Sequence, residues 1–215
     1  AAPFKSESGE LTKAEQKTVQ RLKSDAAVLY RTDLGEAAKI WQEICRRDDL
    51  SAINHFELGR CLELIGQTEE ARQEFLKARD LDVCPLRMTS PLEKIFIGAV
   101  RETKTPLLNL HQLLEKKTDN QILGDRWLVD HVHPNFEGHQ RIALAIGHWL
   151  NTQGFIGLDA DWETQCESSF SDHFQSLERT YFHKGQRALQ GLRQWTQGDA
   201  DGPPVEECFP HLLKN

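Results

Sequence analysis

The sequence predicts a mainly helical protein: a pair of helical hairpins, a small α/β segment with one or a few short strands, and a C-terminal helical section. Three observations lead there. Apolar and small residues step by three or four within residues 18–85 and again from Trp162, the spacing of helices with one buried face. A set of residues in the first stretch returns after about 34 positions, a period proper to two-helix units. Between these regions the pattern breaks at CPLRMTSP, and the proline-bounded run PLLNL reads as one buried strand or extended segment. The expected divisions are a mobile N-terminal segment over 1–10, hairpins over 11–85, the α/β segment over 86–155, a helix or helices over 156–197, and a linker with a terminal segment over 198–215.

The 215 residues, 39% of them hydrophobic, suffice for one sizeable core or two small ones. The formal charge of -7, from 33 acidic and 26 basic residues, gives no sequence-wide attraction to phosphate backbones or anionic lipid, so nucleic acid is not an expected partner. No apolar run approaches the roughly 20 residues needed to span a bilayer. The opening AAPFKSESGE lacks a basic and then apolar leader, and the compartment stays open. Five widely spaced cysteines with no CxxC pair argue against a disulfide framework or a structural zinc site; they read as mostly reduced core residues.

Thr12 to Glu15 and Asp33 to Glu36 read as capping boxes, and Thr68 is expected to cap a helix beginning at Glu69. Ala37, Trp41 and Ile44 prefigure Ala71, Phe75 and Ala78; Ala26, Ala27 and Tyr30 match Leu58, Gly59 and Leu62 if the first turn is about two residues shorter. Gly59 and Ala71 lack bulk where two helices would cross, so the backbones approach closely while Phe75 and Leu62 fill the space beside them. With Gly66, this set resembles a tetratricopeptide repeat over residues 18–85. The resemblance implies a packing or peptide-binding module, with no particular ligand identified.

Ser90, Pro91 and Glu93 suggest a cap, a first-turn proline and the acid of a capping box, for a helix from about Pro91 to Lys104 that Thr105 and Pro106 end. The cap explains Ser90 better than a nucleophilic role does. PLLNL is followed by the amphipathic turn HQLLEKK and the polar loop TDNQILGD. Arg87 and Arg126 are candidates for contact with an anionic substrate, solvated loop arginines being the ordinary case.

The chemistry concentrates in DHVHPNFEGHQRIA, residues 130–143. Acyl transfer to a hydroxyl needs an imidazole near neutral pKa to take the proton and a carboxylate to hold that ring in the right tautomer. Asp130 and His133, with two residues between them on a loop, can fold one beneath the other. Pro134 stiffens the loop, and Asn135 caps a helix whose apolar face is Ile142, Ala143, Ile146, Trp149 and Leu150. His131, His133, His139 and His148 invite a metal reading, but no HExxH or matching carboxylate spacing supports it, so neither metal nor cofactor is expected. His139 and His148 are expected on helix flanks.

Asp130, His133, Pro134, Asn135, Gly138 and His139 resemble the last sequence block of SGNH, or GDSL-type, esterases and acyltransferases, with PLLNL in the place of the preceding strand. That resemblance covers about residues 86–152 and implies His133 as general base and Asp130 as its orienting partner. The chain departs from the family by having no G-D-S block and no G-x-N-D block. The expectation is therefore the C-terminal, repeat-containing part of such an enzyme, inactive alone, with the hairpins inserted between the early blocks and the last and the missing N-terminal hydrolase portion as partner. The alternative is a non-enzymatic tetratricopeptide-like interaction module that binds a protein or peptide.

From Trp162 onward Cys166, Phe170, Phe174, Leu177, Tyr181, Gly185, Ala188, Leu192 and Trp195 mark one long amphipathic helix or two in sequence, packing on the hairpins or against another copy of the chain. Gly185 and Gly191 each weaken a helix by about 1 kcal/mol, which places a break near His183 to Gly185. GDADGPP reads as a linker, and VEECFPHLL as a short terminal segment.

Overall fold

A computed structural model describes residues 1–197; the linker and terminal segment expected beyond them lie outside the described residues. The protein is mainly helical, as its periodicity requires, and no strand occurs among the described residues. Two compact units divide it, residues 1–105 and the chain from Pro106 onward.

In the first unit α1 (Lys13–Leu29), α2 (Leu34–Arg47), α3 (Ala52–Leu64) and α4 (Thr68–Asp80) each pack on the next. Ala26, Ala37, Ile44, Ala52, Cys61 and Ala71 are wholly hidden from solvent, and Trp41, Leu58 and Leu62 nearly so. Burying a side chain the size of Ile44 or Leu62 contributes about 1.5–3 kcal/mol. The crossing of α3 and α4 depends on Gly59. A Cβ there would stand 2.8 Å from the Phe75 ring and 3.3 Å from the Ala71 carbonyl oxygen.

The helix ends show which local signals act. Thr12 and Glu15 form the reciprocal capping box, each side chain taking the other's amide. Asp33 accepts the Glu36 amide at 3.0 Å, but its own N–H goes to Leu29 O at 2.7 Å, so only half of that box exists. Thr68 is the first residue of α4, not its cap; Gln67 holds that position without a side-chain bond. α3 closes on Gly66 at φ 81°, a left-handed conformation that costs glycine little, so that the Gly66 amide reaches Glu63 O and the Gln67 amide reaches Leu62 O.

The first ten residues do not run free. Asp82 accepts the Phe4 and Lys5 amides at 2.7 and 2.9 Å, and Lys5 O accepts the Val83 amide at 3.0 Å. Asp48, itself buried, takes the Gly9 amide at 2.9 Å. Ser6 does the work of a cap for α3: its hydroxyl accepts the Ile53 amide at 3.0 Å, whereas Ser51, at the N-cap, makes no cap bond.

α5 (Ser90–Thr103) completes this unit. Ser90 lies inside the helix with Thr89 at the cap position, which corrects the expected cap; its amide goes to Asp80 Oδ1 at 2.8 Å and its hydroxyl takes an Arg79 N–H at 2.6 Å. These bonds fasten the start of α5 to the end of α4. α5 buries no residue, and Leu92, Ile95 and Phe96 are exposed.

In the second unit PLLNL is not a strand. A strand needs a neighbour for its backbone groups; here Asn109 instead accepts the Gln112 amide at 2.9 Å and caps α6 (Leu110–Lys116), which absorbs Leu110. α7 (Phe136–Thr152) touches both α6 and α8 (Trp162–Ser176), and α9 (Arg179–Gln197) follows. Trp162 fills the space over Gly147, where a Cβ would lie 2.7 Å from the indole. On α7 Leu144 is buried while Ala143 and Ile146 remain exposed. The break before α9 falls at Leu177, with ψ 134°, and not at His183–Gly185: a glycine penalty near 1 kcal/mol does not by itself end a helix.

Candidate functional site

The site is built on residues 126–138, the end of the loop between α6 and α7 and the first turn of α7. Trp127 is its anchor: it is buried, and its indole N–H donates to Thr118 Oγ1 at 2.8 Å. Beyond it the chain turns back on itself. Leu128 and Pro134 form an isolated antiparallel bridge, the Val129 amide reaches His133 O at 2.9 Å, and the Asn135 amide reaches Trp127 O at 2.8 Å.

Asp130 sits within this pinched loop. One carboxylate oxygen accepts the Val132 and His133 amides, each at 2.8 Å, and the other lies 2.7 Å from His133 Nδ1. The Asp130 side chain is 3% exposed, whereas that of His133 is 60% exposed. Burial opposes charge on Asp130, but the His133 and Val132 amides and the His133 ring outweigh it and hold the carboxyl below the usual carboxylate range. With Nδ1 committed to Asp130, His133 Nε2 has no hydrogen-bond partner among the described residues. A neutral ring held this way carries its proton on Nδ1 and presents a basic lone pair at Nε2.

Asn135 and Gly138 fix where the loop meets α7. Asn135 Oδ1 accepts the Gly138 amide at 2.8 Å and caps the helix, while its Nδ2 donates to Arg126 O at 2.9 Å. A Cβ on Gly138 would meet Trp127 O at 2.7 Å and Pro134 Cβ at 3.1 Å, so Pro134 is packed against the first turn of α7. Arg126 lies 4.4 Å over the Trp127 ring and grips Glu137 with two bonds of 2.6 Å, so its guanidinium already has a carboxylate partner.

The four histidines considered for metal do not converge, since no group of three ligating residues that includes any of them occurs among the described residues. His131 is buried, while His139 and His148 are exposed on α7, His148 pairing with Glu163. Ser90 is already engaged by Arg79 and Asp80. Arg87 is half-buried, and burial together with the neighbouring Arg79 charge lowers its pKa.

A second cluster, whose residues share no sequence motif, lies in the first unit. Cys45 on α2, His55 on α3 and Glu74 on α4 bring their ligating atoms within 4.8 Å of one another. His55 Nδ1 is 2.5 Å from Glu74 Oε2, and its Nε2 is 3.0 Å from Asp49 O. Burial would depress the His55 imidazole, but the neighbouring Cys45 sulfur and the bond to Glu74 outweigh that and hold it up at about 10. Burial likewise opposes charge on Glu74, yet His55 and Lys77 keep its carboxyl low.

The chain matches no family model, no curated protein and no solved structure. No helix among the described residues is long and apolar enough to cross a membrane.

Proposed function

We propose that Asp130 and His133 are the acid–base half of an SGNH-type serine esterase or acyltransferase, and that the serine block and the sheet are carried on another portion of the polypeptide. The reading rests on one observation: a nearly buried carboxylate 2.7 Å from Nδ1 of an exposed imidazole whose Nε2 is uncommitted among the described residues. In this role His133 Nε2 takes the proton of an incoming serine hydroxyl and returns it to the leaving alcohol. Asp130 keeps the ring in the required tautomer and balances the imidazolium that forms. Without that serine the 215-residue chain is inactive.

The test compares this chain with the longer polypeptide of its reading frame on p-nitrophenyl acetate. The chain alone should give no His133-dependent turnover, and the longer polypeptide should lose activity by at least about a hundredfold on His133→Ala. Turnover by the short chain that His133→Ala removes would put the nucleophile inside it. A reading frame with no G-D-S block upstream of Ala1 would end the proposal.

A second reading is favoured by the α3–α4 crossing, where Gly59 and Ala71 admit Phe75 as in a tetratricopeptide-like hairpin. On this reading the first unit binds a protein or peptide and the histidine loop only packs; Asp130→Ala then alters stability and no activity.

A further inference from the structure

We propose that Cys45, His55 and Glu74 form a binding site for a zinc-class divalent cation in the first unit, independent of the Asp130–His133 pair. One thiol, one imidazole and one carboxylate within 4.8 Å of each other are a donor set that suits zinc, which takes sulfur, nitrogen and oxygen ligands together. Three successive helices each supply one donor, so a bound ion would tie α2 to both α3 and α4.

The surroundings of His55 add a second reason. Metal-binding histidines commonly give their other ring N–H to a backbone carbonyl or a carboxylate, which fixes the tautomer and aims the lone pair. His55 Nε2 stands 3.0 Å from Asp49 O, and Nδ1 points at Glu74. The Asp49 carbonyl comes just after α2, so the end of the helix that carries Cys45 also orients the His55 ring.

Charge balances as well. An ion of charge +2 is matched by the Cys45 thiolate and the Glu74 carboxylate, with the Cys45 thiol proton and the proton between His55 and Glu74 released to solvent on binding. The 2.5 Å contact between His55 and Glu74 would open to about 3.3 Å, the separation of two ligands each about 2 Å from a tetrahedral ion. The second oxygen of Glu74 is held by the exposed Lys77, whose flexible side chain can follow that movement.

No fourth histidine, cysteine or carboxylate joins these three donors among the described residues. The three donors line a cleft of about 650 Å³ together with Gln42, Arg46 and Lys77. A closed structural zinc site uses four protein ligands, whereas three ligands facing a cleft leave a place for water or a small exogenous donor.

Cobalt(II) is the probe, because a thiolate ligand gives it a charge-transfer band in the near ultraviolet that histidine and carboxylate sites lack. The chelator-treated full chain should show this band, saturating at one equivalent and abolished by excess zinc. Cys45→Ser should remove it, Cys61→Ser should keep it, and Glu74→Gln should weaken cobalt binding by at least about tenfold. No band, or a band that survives Cys45→Ser in a folded variant, would overturn the site. Should Cys45→Ser fail to fold, the unaltered chain decides: zinc must move the His55 ring nitrogen resonances at one equivalent, and if those stay in place the proposal fails.

Discussion

Asp130 holds His133 at two points, taking its backbone amide on one carboxylate oxygen and its ring Nδ1 on the other. The same side chain thus shapes the loop and orients the imidazole. Asp130→Ala removes the acceptor for two amides and one ring nitrogen together. The expected loss is about 1–3 kcal/mol of stability in the second unit, read from urea unfolding followed by tryptophan fluorescence.

The pH dependence of the loop follows from the lowered Asp130 pKa. The unfolded carboxyl titrates near the ordinary value of about 3.9, and the folded one below it. The stabilisation is therefore fully present above about pH 3.9 and is lost as pH falls through the folded value. In carboxyl-detected titrations Asp130 should protonate later than exposed aspartates during acidification. In Asp130→Asn this contribution to acid unfolding should be gone.

Two glycines should resist even a methyl group, for different reasons. Gly138→Ala drives a Cβ to 2.7 Å from the Trp127 carbonyl oxygen, a backbone atom that cannot rotate aside. A cost of about 1–3 kcal/mol is expected, with a change in Trp127 emission. Gly59→Ala meets mainly the Phe75 ring, so Phe75→Leu should recover part of its loss, and a double-mutant cycle on thermal midpoints measures that coupling.

The N-terminal segment should come loose when Asp82 is removed. Asp82→Ala deprives the Phe4, Lys5 and Cys84 amides of their acceptor. Hydrogen exchange at Phe4 and Lys5 should speed up at least about tenfold while amides inside α2 and α3 keep their protection. Ser6→Ala should expose the Ile53 amide in the same assay and leave Phe4 slow.

What could be read from the sequence was local. The helices of the first unit announce themselves through periodic apolar residues, and the core does fall on Ala37, Ile44, Leu58, Leu62 and Ala71. The Asp130–His133 contact was legible because its loop, tautomer and cap all lie within ten residues. PLLNL misled because a strand is defined by a neighbour that the run itself does not contain, and Asn109 had a cap to make instead. Thr68 and Ser90 each carry the right chemistry for a cap but stand one position inside the helix. Cys45, His55 and Glu74, ten and then 19 positions apart, share no motif; only the packing of three helices makes them neighbours. The tie between Lys5 and Asp82 spans 77 positions and leaves no local signature.

That tie has a topological consequence. Because Lys5 and Val83 are hydrogen-bonded, the chain arrives at the four hairpin helices and departs from them at the same spot. Between Lys5 and Val83 those helices form a loop with a closed neck. A change of length among the helices beyond that neck leaves the span from Lys5 to Val83 as short as before.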